Sequence, residues 1–264
     1  PGIAADTQMK SALQEAGVEA ESFAGHLLHE PWRIKTGSGG PYRVFTPFWR
    51  ALVEHVHPRA PADRPGSLKP FEGDVTGDAL EDWQLLPTTP DWAGGLRETW
   101  TPGEAGARDR LIAFLDGGGD GYKTRRDRMG DDGTSGLSAH LAHGEITPFQ
   151  IWQALDGTDE LAGEDMLTFR KEVGWREFCW HLLFHNPDLA TKNFNSDFDA
   201  FPWHRDDRAL TDWQRGQTGY PVVDAAMRQL WQTGWMHNRA RMIVASFLVK
   251  HLGLHWRTGE EWFW

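Results

Sequence analysis

Three segments of this chain carry side chains whose types and spacing could do chemistry. The first, Gly121 to Ser138, reads GYKTRRDRMGDDGTSGLS: a tyrosine and a basic run lead to Thr134, Ser135 and Ser138 at the expected start of a helix. Hydroxyls and unpaired backbone N–H groups at a helix N-terminus, backed by the positive end of the dipole, suit a pyrophosphate. A capped helix after a solvated loop accounts for the same residues. The second, Phe169 to His185, reads FRKEVGWREFCWHLLFH. On a helix Glu172, Trp175, Arg176 and Cys179 fall three and four residues apart, so a carboxylate, an indole and a guanidinium share a face and could hold a flat ring with a hydrogen-bonding edge. The simpler alternative is an exposed Glu172–Arg176 ion pair beside a core tryptophan, stabilising by under about 1 kcal/mol. His181 and His185 stand at i and i+4, but the glutamate of the zinc-protease pattern and a third ligand are both missing, so no metal site is expected. The third segment runs from Thr218 to His251. There two predicted helices meet at Gly234 to Asn238, a turn that gathers Trp235, His237, Asn238, Arg239 and Arg241, residue types that read base edges and phosphates or simply cap a helix.

These segments sit in a chain of 264 residues, long enough for one large domain or two modest ones. No apolar run approaches the roughly 18 residues of a membrane span, and no signal segment opens the chain. Cys179 is the only cysteine, which rules out an internal disulfide and a cysteine-based zinc site and points to a soluble protein of the reducing cytoplasm. With 27 Lys and Arg against 38 Asp and Glu, the net charge of −11 argues against a nonspecific binder of polyanions. Local basic surface is still available from Lys123 to Arg128 and at Arg228, Arg239 and Arg241. The 15 tryptophans are expected mostly in the core, with a minority left for base stacking or electron transfer. The absence of an initial methionine, and an apolar-rich ending at Glu261 to Trp264 that reads as an unfinished helix, suggest a fragment.

The elements that would position the three segments are mainly helical. A helical pattern covers residues 4 to 17, with Asp6 and Thr7 as candidate caps and Gly17 as the stop. Val18 to Leu28 reads as a short extended piece and Glu30 to Pro47 as a loop. Residues 57 to 106, rich in Pro, Gly and Asp, read as a long linker, which puts a domain boundary near residue 95. Helical spacing then appears at Ala107 to Leu115, Pro148 to Leu155, Asp165 to Phe184, Pro221 to Thr233 and Asn238 to Leu252, with Pro148 and Pro221 at helix starts.

Taken together, TGYPVVDAAMRQL, TGWMHNRARMIVASFLVKHL, WREF and GTSGLSAHLAHGEITP closely resemble the photolyase and cryptochrome family, specifically the bacterial class I enzymes that split cyclobutane pyrimidine dimers. The resemblance covers about residues 20 to 264. It implies a mainly α fold: residues 1–50 as the C-terminal remnant of an α/β, Rossmann-like antenna domain (LLHEPWRIKTGSGGPYRVFTPFWRAL), 51–95 as a linker, and 96–264 as a helical FAD-binding domain truncated at its C-terminus. It implies FAD, active when reduced, and an antenna chromophore whose site is mostly absent. Flavin contacts are implied at Tyr122, Thr134, Ser135, Gly136, Leu137, Ser138, Phe169, Glu172, Arg176, Asn238 and Arg241, with Gly136 standing where several relatives carry arginine. Contacts to ultraviolet-damaged DNA are implied at Arg126, Glu172, Trp175, Arg176, Cys179, Asn238 and Arg239. Glu172 would bond the damaged thymine edge and Trp175 would stack on the flipped-out dimer, as base flipping requires. Trp203 and Trp256 match two members of a tryptophan chain that feeds electrons to the flavin, the third falling after Trp264 along with acidic residues expected beside the ring and Arg241.

The activity so implied is light-driven repair of pyrimidine dimers, a carbon–carbon lyase reaction, by a monomer that acts away from membranes. The same fold also serves cryptochromes, which sense blue light without repair. Glu172, Trp175 and Asn238 together favour repair over sensing, and the turn sequence His237–Asn238–Arg239 disfavours a (6-4) photolyase, for which a second histidine near Asn238 would be expected. A noncatalytic flavin- or DNA-binding module and a helical domain with purely structural tryptophans complete the alternatives.

Overall fold

Prolines and glycines fix where many of the helices begin and end. In a computed structural model, which describes residues 2–63, 65–70, 72, 73, 76–157 and 163–263, these signals punctuate an architecture in which no strand forms among the described residues beyond a single bridge between His204 and Leu254. Trp264, part of the expected unfinished helix, lies outside the described residues.

Helix α1 spans Gly2–Glu15 and buries none of its side chains. It runs through Asp6 and Thr7 rather than starting at them. The Thr7 hydroxyl donates back to the Ile3 carbonyl at 2.8 Å, the usual alternative for a threonine inside a helix. Gly17, at φ +74°, follows as expected. The expected extended piece, Val18 to Leu28, pairs with no other strand. Helix α2 (Phe45–His55) begins inside the expected loop and buries Phe48, Trp49, Ala51 and Leu52.

The expected linker of residues 57 to 106 is partly ordered, because α3 (Gly94–Thr99) and the first turn of α4 (Glu104–Ala113) fall within it. Tertiary contact explains α3. A Cβ at Gly95 would lie 2.1 Å from the Gln232 carbonyl oxygen, so the missing side chain lets the short helix lie against the backbone of a later one. Then come α5 (Tyr122–Arg125), α6 (Ser138–Ala142) and α7 (Pro148–Asp156), the last with Pro148 at its first position and a reciprocal Thr147–Gln150 capping box.

Helix α8 (Gly163–His185) is the longest element, 23 residues, or roughly 35 Å at 1.5 Å per residue. It is followed by α9 (Asp207–Gln214), α10 (Pro221–Thr233), α11 (Asn238–Ser246), which widens into a looser turn through His251, and α12 (Trp256–Phe263). Helix α10 starts at Pro221 and stops at Gly234 in the left-handed region, φ +68°, as the sequence predicts.

Two apolar clusters meet on α8. Phe169 and Val173 pack with Leu111, Phe114, Ile151 and Leu155, while Phe178 packs with Phe48, Trp49 and Leu52 of α2. A third cluster joins α9 to α12 around Trp213, Met227 and Val244. The tryptophans depart from expectation: only Trp49 and Trp213 are buried among the described residues, whereas Trp32, Trp83, Trp92, Trp175, Trp180 and Trp231 are exposed.

At Gly174 the bare backbone of α8 packs tightly against the Trp49 ring of α2. A Cβ there would sit 2.5 Å from Cε3 and Cζ3 of the Trp49 ring. Gly174→Ala is therefore expected to destabilise the fold by about 1–3 kcal/mol despite the higher helix propensity of alanine. Denaturant unfolding that finds the variant as stable as the parent, or more so, would refute this packing.

Candidate functional site

The α8 helix contributes one side of a cavity of about 1650 Å³. Phe169, Glu172, Val173, Arg176, Trp180 and Leu183, spaced one, three or four residues apart, line it from this helix. Tyr122 and the segment Thr134 to Ser138 close one end, Trp235, Met236, Asn238 and Arg241 another, and Trp203 and Trp256 stand in the remaining wall. Thus Tyr122, Thr134, Ser135, Gly136, Leu137, Ser138, Phe169, Glu172, Arg176, Asn238 and Arg241, up to 119 positions apart in sequence, converge on one space.

The cavity does not gather every residue singled out. Trp175 and Cys179 do not line it, although they were expected to share a face with Glu172 and Arg176. The reason is the packing of α8 on α2: the Trp175 indole stacks on Phe45, with ring centroids 3.7 Å apart and planes 9° from parallel. Cys179 is exposed. The alternative of a Glu172–Arg176 pair is also not realised. Glu172 is instead bound by the guanidinium of Arg126, which lies over the Tyr122 ring at 5.7 Å. Arg176 turns the other way, to Glu177 Oε1 at 3.2 Å and the His26 carbonyl at 2.8 Å.

Beside this pair, Asp127 accepts from Arg239 Nε at 2.8 Å, and the Arg239 side-chain bond holds the Asp127 carboxyl below its usual pKa. His237 accepts the Arg239 backbone N–H at 3.1 Å, and burial holds its imidazole below the ordinary histidine value, so the neutral ring that accepts this bond is favoured. Two ion pairs therefore join the 126–127 turn to α8 and α11. The helix-dipole argument for the 134–138 segment is weakened, because α6 has only five residues; its useful donors are hydroxyls and backbone N–H groups.

Sequence reasoning missed Asp165. From the first turn of α8 its buried carboxylate accepts the backbone N–H groups of Gly121 at 2.9 Å and Lys123 at 2.8 Å. This fixes the turn that carries Tyr122, which burial holds above its usual phenol pKa. The pairing spans more than 40 residues and leaves no local signature. Also missed was His255, whose ring lies 4.9 Å from Trp203 and 5.6 Å from Trp256, so that it links the two cavity-lining tryptophans from behind the wall.

A dinucleotide with a flat ring fits this space. The volume exceeds the several hundred to about 1000 Å³ of pockets for drug-sized ligands. Neutral phosphate donors gather at one end, aromatic and aliphatic walls lie between, and Arg241 is half-buried with no carboxylate partner among the described residues. Burial holds the Arg241 pKa below that of a free guanidinium, the condition in which a bound anion or carbonyl is welcome.

The comparisons agree with this geometry. Residues 169–264 match the model of the FAD binding domain of DNA photolyase, and residues 2–66 match that of DNA photolyase. The chain is 54% identical to a deoxyribodipyrimidine photo-lyase of Agrobacterium fabrum, covering 99% of the chain and 55% of that protein. It is 32% identical to cryptochrome-1 of Arabidopsis thaliana, covering 98% and 39%. Its fold superposes with a TM-score of 0.95, at 54% identity and coverage of 99% and 55%, on a crystal structure described as a bacterial class III photolyase from Agrobacterium tumefaciens. The chain spans about half the length of these relatives or less.

Removing the Asp165 carboxylate leaves two backbone donors unpaired. Asp165→Ala is expected to lower stability by roughly 1–3 kcal/mol and to speed amide exchange at Gly121 and Lys123. Unchanged exchange at both amides would show that the carboxylate does not hold this turn.

Proposed function

This chain belongs to the photolyase and cryptochrome family, and from that premise we propose that it repairs cyclobutane pyrimidine dimers in DNA under blue or near-ultraviolet light, with FAD as its cofactor. The observation that carries the reading is the convergence of a phosphate-donor segment, the Glu172 and Arg176 face of α8, and the Asn238 to Arg241 turn on one dinucleotide-sized cavity. The greater identity to a deoxyribodipyrimidine photo-lyase than to a cryptochrome favours repair over light sensing. Within the family, identity to the Agrobacterium tumefaciens structure favours class III over the class I expected from sequence.

In this reading Thr134 to Ser138 hold the diphosphate, and Phe169, Arg176, Asn238 and Arg241 line the ring. Reduced FAD, when bound, supplies the photoexcited electron that opens the cyclobutane ring and is afterwards returned. The protein's part is binding, orientation and electrostatics. Glu172 presents a carboxylate to the damaged base edge. Trp175, 43% exposed and braced from behind by Phe45, offers an aromatic shelf outside the flavin cavity. Arg126, Arg239 and Asn238 meet the DNA backbone and bases around the lesion; Cys179 is close on the same helix and contributes only contact. Trp203 and Trp256, with His255 between them, carry electrons inward to the flavin.

The domain reading goes with this. Residues 1–50 correspond to the tail of the antenna domain, 51–95 to the connecting segment and 96–264 to the helical FAD-binding domain. An antenna chromophore belongs to the whole protein. A single cysteine suits a reducing cytoplasm, where the protein is proposed to act as a monomer; no helix among the described residues is long and apolar enough to cross a membrane.

The test is dimer loss from ultraviolet-damaged DNA by the reduced protein, under blue light and in the dark. Loss only in the light supports the proposal, whereas a flavin spectrum without loss moves the assignment to a photoreceptor. Trp203→Phe is expected to slow flavin photoreduction at least about 10-fold, the effect of roughly 1.4 kcal/mol on a barrier, while repair by prereduced protein is unchanged. Equal loss of both would remove Trp203 from the electron path.

A further inference from the structure

Gly136, in the middle of the phosphate-donor segment, has φ +62°, and a Cβ built on it would lie 2.3 Å from Nη2, 2.7 Å from Nε and 2.8 Å from Cζ of Arg110. The guanidinium at the end of an α4 side chain thus fills the volume that any side chain at position 136 would occupy. The left-handed backbone favours glycine there, while the Arg110 tip is exposed, stands outside the residues that line the cavity and is free to move.

The charge in this notch has no protein counterpart. Among the described residues no carboxylate lies within ion-pair distance of Arg110. The neighbouring Arg125 gives its guanidinium to the carbonyls of Gly118, Asp120 and Asp132, and Arg126 is committed to Glu172. The lining residues Thr134 to Ser138 offer only neutral donors. A diphosphate carries two negative charges, and a planar fork of N–H donors answers them more strongly than hydroxyls can.

Resting on the flavin reading above, we propose that Arg110 is the cation of the cavity's phosphate end, reaching over Gly136 to the diphosphate bridge of FAD. Arg110 is then a selectivity residue: it favours a flavin that carries the diphosphate over one that does not, and it plays no part in light absorption or electron transfer.

The experiment is calorimetric titration of the apoprotein with FAD and, separately, with riboflavin, which has the same ring but no phosphate. Arg110 is exposed, so its replacement is tolerable, and unfolding curves of each variant check this. Arg110→Ala is expected to weaken FAD about 10- to 100-fold, leave riboflavin affinity unchanged and flatten the salt dependence of FAD binding. Arg110→Lys is expected to recover part of the loss, since it restores the charge without the fork. Equal FAD affinity in parent and Arg110→Ala would overturn the proposal, as would a parallel loss for both flavins. Failure of the parent protein to bind either flavin would overturn the flavin reading itself, a result distinguishable from the other two.

Discussion

The structure depends on how α8 is packed, because this helix has no single apolar stripe and must find partners around its circumference. Its buried residues include Asp165, Phe169, Val173, Gly174, Glu177, Phe178 and His181, too widely spread for one interface. Each partner solves a different part of the problem. Trp49 lies against the bare backbone at Gly174, and the α4 and α7 side chains cover Phe169 and Val173. The fully buried Glu177 carboxylate is met by the Leu28 N–H at 2.8 Å and by Arg176, which also bonds the His26 carbonyl, and this draws the 26–28 segment onto the helix. A carboxylate buried this deeply is costly to leave unpaired, so these contacts fix the rotation of α8. With that rotation, Phe169, Glu172, Val173, Arg176, Trp180 and Leu183 form the cavity wall, while Trp175 and Cys179 are left outside it.

Electrostatics follow from the same arrangement. An overall charge of −11 repels DNA at long range, while the arginines near the cavity mouth are held in local pairs, Arg126 with Glu172 and Arg239 with Asp127. Such pairs keep cations in place on an acidic protein. The Arg239–Asp127 pair, nearly half exposed, is worth little by itself, so a phosphate can displace Asp127 at low cost, whereas the sheltered Arg126–Glu172 pair costs more to part. Binding of DNA in the proposed function thus exchanges intramolecular pairs for intermolecular ones. The half-buried Arg241 is different: it lines the cavity, lies over the Phe263 ring at 5.0 Å and has no carboxylate partner among the described residues, so in the proposed function its charge is left for the cofactor.

What the sequence showed was local punctuation and motif content. Helix α10 was legible to the residue because Pro221 and Gly234 have strong positional meanings, and Pro148 marked the start of α7. The cavity residues were legible because their motifs resemble a known family, not because any one segment compelled a site; taken alone, each segment had an ordinary structural explanation. Hidden from view were the long-range choices. Glu172 took Arg126, 46 residues away, over Arg176 one turn away, and Asp165 reached back to the Tyr122 turn. Trp175 was drawn to Phe45, 130 residues earlier. Tryptophan burial was misjudged for the same reason, since a cavity wall and an outer surface accept aromatic rings that an isolated sequence assigns to the core.

The central claim is that the packing of α8 aims one strip of the helix at a bound flavin while Trp175 and Cys179 remain outside the flavin cavity. A crystal structure of the protein grown with FAD tests it directly. The account predicts the diphosphate against Thr134 to Ser138 and the ring system between α8 and Arg241, with the Trp175 indole still on Phe45. A flavin bound elsewhere, or an α8 rotated so that Trp175 lines the flavin in place of Glu172 and Arg176, would contradict it.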